Sequence, residues 1–118
     1  MSQTIQGPPI VLSYAYTLRI AVTGQGGDVL FPDGCELRAD VRSYPGARSI
    51  LAELSTQNGG LVRIDDGTIE VRLTAEQTAA IGHSSVVLDL ARTDPNPDVY
   101  LYVALKIPVQ KPVTRGQA

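Results

Sequence analysis

The chain offers few side chains that are suited to catalysis. It contains one histidine, His83, and one cysteine, Cys35. Hydrolytic and acid–base enzymes hold a nucleophile or base with an orienting partner, and His or Cys usually supplies one of these groups. We expect His83 to lie in a surface turn beside a helix end and Cys35 to be a buried or loop thiol. The sequence therefore predicts no catalytic residue, and a small hydrolase subunit built around His83 is the minor alternative.

Ligands for metals and cofactors also lack their usual spacing. Structural zinc needs several Cys or His ligands, which this composition does not supply. The pairs Asp65 with Asp66 and Asp94 with Asp98 offer loop oxygens, but neither follows an EF-hand pattern, so we expect turn and loop roles and keep calcium as the alternative. The glycines of residues 24–27 lack the Lys and Ser/Thr of a P-loop. We predict no metal and no cofactor.

Length and charge favour one domain without nucleic acid. The chain has 118 residues, with 10 basic against 12 acidic side chains and a net charge of −2. Polyanion binding needs clustered Lys and Arg, which are missing here. No signal peptide is evident at the first residues, and no apolar run is long enough for a membrane span, so we expect neither export nor membrane insertion.

The elements that position these residues are β-strands. From Ile10 to Val22 the even positions are apolar and the odd ones smaller or more polar, which is the period of a strand with one buried face. This prediction turns Tyr14 and Tyr16 inward and allows a bend near Ser13 or Ala15. Similar runs, bounded by turn residues, follow along the chain. They lie at residues 36–42, 50–54, 61–64, 68–73, 85–91 and 99–107.

One short helix interrupts this pattern. Thr74 and Gln77 have the spacing of a capping box, and we expect the helix over about residues 75–81, with Gly82 as its stop. About seven strands with one short helix suit an all-β sandwich or small barrel. The strands are expected to be antiparallel, because this helix is too short for a crossover between parallel strands.

Two tyrosines and two prolines near the end of the chain are candidate contact residues. Tyr100 and Tyr102 alternate with the apolar face of their strand, so they are either an exposed protein-contact or glycan platform or buried between two layers. Pro108 and Pro112 each lack a backbone donor, which predicts that residues 109–114 lie at a sheet edge or outside the sheet. We therefore divide the chain into an arm at 1–9, a domain at 10–111 and a second arm at 112–118.

The order of the motifs carries a family resemblance. The motifs are Leu61-Val62-Arg63-Ile64, Asp65-Asp66-Gly67, Ile69-Glu70-Val71-Arg72-Leu73, Thr74-Ala75-Glu76-Gln77-Thr78, Val87-Leu88-Asp89-Leu90-Ala91-Arg92-Thr93-Asp94 and Pro112-Val113-Thr114-Arg115, preceded by Leu37-Arg38-Ala39-Asp40-Val41-Arg42. In this order they resemble the small immunoglobulin-like domains of tailed bacteriophages and prophages, similar to the N-terminal domain of phage baseplate upper proteins and to related head or tail accessory proteins. The likeness covers the chain from about residue 10.

This resemblance implies an immunoglobulin-like β-sandwich that is a non-enzymatic virion component. Leu88 replaces the family's aromatic residue before Asp89, and no receptor-binding region follows, which favours a stand-alone head decoration, spike-base or tail accessory protein. Its expected partners are capsid, portal or tail proteins and itself, in the virion and, during assembly, in the host cytoplasm. The contact residues would include Tyr100, Tyr102, Pro108, Pro112 and Arg115. The alternative is a carbohydrate-binding or adhesin module that uses Tyr100 and Tyr102.

Overall fold

A computed structural model describes residues 3–22, 30–95 and 97–114, with side chains except those of residues 3–6 and 102. Within these ranges the chain forms nine strands and one helix. They are β1 (Gln3–Gln6), β2 (Ile10–Val11), β3 (Tyr16–Ala21), β4 (Leu37–Val41), β5 (Ala52–Ser55), β6 (Leu61–Asp65), β7 (Thr68–Leu73), α1 (Ala75–Ala79), β8 (Ser85–Arg92) and β9 (Val99–Gln110). The all-β class predicted from the sequence is confirmed.

The strands form a large and a small sheet. The large sheet has the order β1-β9-β8-β4-β5, with β2 also paired to β9, and the small sheet has the order β3-β7-β6. β1 and β2 both run parallel to β9, so the large sheet is mixed rather than purely antiparallel as expected. A parallel pair needs a long connection, and here nearly the whole chain lies between the two partners, so no crossover helix is required.

Both sheets contribute to one apolar core. On β4 the alternation is as predicted, because Leu37, Ala39 and Val41 are buried while Arg38 is exposed. Burial of these apolar side chains is the main favourable term of folding. Apolar residues with no more than 2% of their surface exposed define the centre of the core: Ile10, Phe31, Leu37, Ala39, Val41, Leu54, Leu61, Ile69, Val71, Val86, Leu90, Val103, Leu105 and Ile107.

The first predicted strand is broken where a bend was expected. Ser13 has a positive φ of 70°, and the amide of Tyr14 donates to the carbonyl oxygen of Val11 at 3.2 Å, which turns the chain between β2 and β3. Tyr16 points into the core as predicted. The inward placement of Tyr14 was wrong, because the turn breaks the alternation and leaves its ring exposed.

The helix starts as the sequence predicts and ends differently. The Thr74 hydroxyl accepts from the Gln77 amide at 3.1 Å, and the Gln77 side chain accepts from the Thr74 amide at 2.8 Å, which completes the capping box. The C-cap is Ala80 in a right-handed conformation. The prediction of Gly82 as the stop was therefore wrong, since no left-handed residue closes this helix.

Residues 109 and 110 lie inside the large sheet, so their predicted edge position was wrong. The Val109 amide donates to the Ser84 carbonyl at 2.8 Å, while β2 pairs with Val109 on the other side. Neighbouring amides of a strand point in opposite directions, so the position of the missing Pro108 donor faces β1 and β2. On that side, residues 7–9 interrupt the pairing with β9 between β1 and β2. The missing donor of Pro108 therefore costs no hydrogen bond between strands.

The segments assigned to arms contact the domain where they are described. Residues 3–6, placed in the first arm, form β1 along β9. In the second arm, the Thr114 carbonyl accepts a hydrogen bond from the Tyr14 hydroxyl at 2.8 Å. Pro112, Val113 and Thr114 thereby line a shallow depression of about 520 Å³ against Tyr14. Arg115 lies outside the described residues.

Candidate functional site

The solvent-facing side of the large sheet, here called the outer face, has an apolar centre surrounded by charged side chains. Its centre is apolar and half-buried, with Val87 on β8 and Ala104 on β9. Charged side chains surround this centre on three strands. They are Arg38 and Asp40 on β4, Arg42 directly after β4, Asp89 on β8 and Lys106 on β9.

A rigid turn builds one wall of the outer face. Tyr44-Pro45-Gly46 follows the end of β4 and forms a turn in which the Ala47 amide donates to the Tyr44 carbonyl at 3.1 Å. Gly46 has a φ of 84°, the left-handed value that a type II turn needs at its third position. The turn leaves the Tyr44 ring 60% exposed. An open groove of about 690 Å³ lies between this turn and strands β8 and β9.

Arg42 fixes the turn to the sheet. Its guanidinium donates to the Ala47 carbonyl at 2.6 Å and lies 3.6 Å from an Asp40 carboxylate oxygen. The other oxygen of Asp40 accepts from Arg38 Nε at 3.3 Å. These contacts hold the charged side chains on this side of the groove in defined positions. Less side-chain entropy would therefore be lost when a partner binds them.

Tyr100 lies on the outer face beyond Asp89. Its ring is 41% exposed, and its hydroxyl lies 3.0 Å from a carboxylate oxygen of Asp89, to which it donates. This arrangement presents apolar ring area beside a polar group, which is the combination found at protein contact surfaces. Tyr102 lies two residues further along β9, and its side chain lies outside the described part of the structure.

The two prolines lie at separate places in the domain. Pro108 is half-buried in β9 near the interruption between β1 and β2, while Pro112 follows the end of β9 and lines the depression beside Tyr14. Neither of them lines the groove of the outer face. The predicted contact residues therefore do not form one site, and of the described ones only Tyr100 belongs to the outer face.

His83, Cys35 and Asp65 lie outside this face. His83 is exposed in the turn between α1 and β8. Burial raises the pKa of the Cys35 thiol, which keeps it protonated and unreactive. Asp65 accepts from the Gly67 amide at 2.9 Å, and this hydrogen bond lowers the pKa of its carboxyl. In the residues that the structure describes, no group of three or more His, Cys, Asp or Glu side chains could hold a metal ion.

Asp94 also serves the fold. Arg92 donates two hydrogen bonds to its carboxylate and lowers the pKa of the group, and the Glu36 amide donates to the same carboxylate at 3.2 Å. These bonds tie the loop after β8 to the start of β4. Asp98 is exposed further along the same loop.

Sequence reasoning missed Tyr44 as a surface residue of the site. The Pro-Gly pair after Tyr44 signals a tight turn, and an aromatic residue at the first position of such a turn stands out from the strand ends. The local sequence pattern does not show the strand order β4-β8-β9. This order places the turn beside the groove.

Two comparisons of the sequence with known proteins found no match. No protein-family model matches the chain, and the curated proteins contain no similar sequence. Within the described ranges, no helix is long and apolar enough to cross a bilayer.

Proposed function

We propose that this chain is a non-enzymatic structural component of a tailed bacteriophage virion that acts through protein–protein contacts made by the outer face. The observation that carries the proposal is the groove of about 690 Å³, with its half-buried Val87 and Ala104 and its surrounding charges. An apolar centre with a polar rim is the usual composition of a protein interface. The assignment to a head decoration, spike-base or tail accessory protein rests on the resemblance of the ordered motifs.

The strand order supports the finer proposal of an immunoglobulin-like sandwich. In that fold one sheet contains strands B, E and D, and the other contains G, F and C, with C′ added in variable-type domains. The small sheet β3-β7-β6 and the run β9-β8-β4-β5 follow the same orders. The parallel pairing of β1 and β2 with β9 fits a first strand that lies beside the last one.

A charge placed at the centre of the outer face tests this function. Val87→Glu replaces the apolar centre with a carboxylate opposite Lys106 and Arg42 and should strongly lower incorporation of the chain into particles, because a partner would lose apolar contact and have to desolvate a charged group. Val62→Glu is the matched control, since Val62 is also half-buried on a strand but lies in the small sheet. The measurement is the amount of each variant in purified virions, after thermal unfolding has shown that both fold. Equal incorporation of Val87→Glu and wild type would contradict the proposal.

Tyr100 favours one second candidate, a carbohydrate-binding or adhesin module. Its exposed ring and the Asp89 carboxylate beside it provide stacking area and a hydrogen-bond acceptor, which sugars require. Glycan-array binding that is lost in the Tyr100→Ala, Tyr102→Ala double variant would favour this candidate. The same array without signal would rule it out in favour of protein contacts.

A further inference from the structure

The free edges of the two sheets differ in how they are protected. An edge strand exposes backbone donors and acceptors that can pair with another chain, and proteins usually block such edges. In the described residues the large sheet ends at β5 on one side and at β1 and β2 on the other, and the small sheet ends at β3 and β6.

The edge of β5 is blocked by a side chain that imitates a neighbouring strand. The Asn58 side-chain amide donates to the Glu53 carbonyl at 2.9 Å, and its oxygen accepts from the Ser55 amide at 3.0 Å. Glu53 and Ser55 are the residues of β5 whose backbone faces away from β4, since Thr56 is bonded to Leu37. Asn58 therefore satisfies groups that another strand would need.

Two further edges are irregular. In β6 the register shifts between Arg63 and Asp65, and the Arg63 side chain donates to the Phe31 carbonyl at 2.7 Å, which holds the 30–31 segment beside the strand. The edge formed by β1 and β2 is interrupted by residues 7–9, which include two prolines without amide hydrogens. Bulges and prolines are common protections of sheet edges.

As far as the chain is described, β3 has none of these protections. All six of its residues pair with β7 without a register shift, and it contains no proline. Val22 donates to the Gly67 carbonyl, so the backbone groups of Thr17, Arg19 and Ala21 point to the free edge. The side chains of these three residues are exposed as well. β3 thus presents a regular, accessible template for one more strand.

The charge beside this edge is positive. Arg19 Nε lies 3.1 Å from a carboxylate oxygen of Glu70, and the other oxygen accepts from Arg72 Nε at 2.6 Å. Two guanidinium groups thus share one carboxylate, and both arginines are more than half exposed while Glu70 is buried. The remaining side chains of β3 and β7 that face the same way, Thr17, Ala21 and Thr68, are uncharged. Among the described side chains of β3 and β7 on this face, one positive charge is therefore uncompensated.

We propose that the free edge of β3 accepts an extended segment of a partner protein, which adds a fourth strand to the small sheet and places a carboxylate beside Arg19. Backbone hydrogen bonds to Thr17, Arg19 and Ala21 would supply affinity, and the carboxylate would supply specificity. This surface is separate from the outer face, so its test can fail while the proposed function holds, and the reverse.

A displayed library of short extended peptides, slightly longer than β3, tests the inference on the full chain. Peptides selected on wild type should carry Asp or Glu at one fixed position. Arg19→Glu should bind them roughly tenfold more weakly and select Lys or Arg at that position instead. Arg38→Glu is the control, because Arg38 is a similarly exposed, ion-paired arginine on the large sheet. It should leave both affinity and preference unchanged.

Proline substitution tests the edge itself. Thr17→Pro removes an amide that faces away from β7 and should abolish peptide binding, and Ala21→Pro repeats the test should the first variant fail to fold. Three results would overturn the proposal. They are selected peptides that bind a folded proline variant as well as wild type, an acidic preference that persists in Arg19→Glu, and self-association of wild type through β3 that these prolines abolish, which would make a second copy the occupant.

Discussion

The Tyr16 hydroxyl is a buried polar link between the start of the chain and the small sheet. It donates to the Pro8 carbonyl at 2.8 Å, and the residue is 7% exposed. Tyr16→Phe removes this donor and keeps the ring, so at neutral pH we expect a loss of about 1 kcal/mol in the free energy of unfolding. The effect should change sign at high pH, because burial raises the pKa of Tyr16 from 10.0 to about 12.

The sign follows from the two states. Between pH 10 and about 12 the unfolded chain loses the Tyr16 proton while the folded chain keeps it, so rising pH favours unfolding. Below pH 10 this contribution to the free energy of unfolding is fully present. As the pH rises from 10 through about 12, the wild type loses roughly 2.7 kcal/mol of its free energy of unfolding. The Tyr16→Phe variant has no phenol to titrate and does not lose this free energy. Its stability curve should therefore cross that of the wild type at about pH 11.

Urea unfolding of both proteins across this pH range measures the two curves. The phenolate absorbance of folded wild type minus that of the variant gives the titration of Tyr16 directly. Parallel stability curves with a constant offset would refute the reasoning, and so would a difference titration centred at pH 10, the value of an exposed tyrosine.

Further predictions concern packing, capping and acid stability. Phe31 is fully buried, so Phe31→Ala should lower the free energy of unfolding by about 3–5 kcal/mol in chemical denaturation. Thr74→Ala removes the capping box and should cost about 1 kcal/mol, whereas Thr74→Ser should be nearly neutral in the same assay. Hydrogen bonds from Arg19 and then Arg72 lower the pKa of Glu70, so its stabilisation is present above the unfolded pKa and is lost as pH falls through the folded one. Glu70→Gln should flatten the acid limb of the stability curve, and an unchanged limb would contradict the assignment.

Local patterns in the sequence predicted the strands that have one apolar face and one polar face. The alternation at Leu37, Ala39 and Val41 gave β4, and the Asp65-Asp66-Gly67 turn gave the hairpin of β6 and β7. The capping box at Thr74 gave the start of the helix. These features depend on contacts between residues close in sequence, so the chain carries their signals locally.

Pairing between distant segments was not predictable in the same way. The parallel neighbours of β9 come from the start of the chain, and they supply the reason that Pro108 is tolerated in the middle of a sheet. A proline in the sequence favours an edge position, because its backbone donor is missing. The sequence does not show whether a neighbouring strand would have offered an acceptor for that donor. The inward prediction for Tyr14 failed for a related reason, since one residue with positive φ, Ser13, ends the alternation.

The candidate site needed the tertiary structure most. Val87 and Ala104 are ordinary outward positions in their strands, and they form the centre of a groove only because β8 and β9 lie beside the turn at Tyr44. The open edge of β3 likewise emerges from comparison with the edges that Asn58 and the prolines protect. Tyr100 was the one described residue of the outer face that the strand pattern identified as a contact candidate.

The proposed virion role is tested most directly by quantitative mass spectrometry of phage particles prepared from the organism that encodes the chain. A structural component should be present in a fixed, reproducible ratio to the capsid or tail proteins, and Val87→Glu should lower that ratio while Val62→Glu leaves it unchanged. Absence of the chain from intact particles would contradict the account.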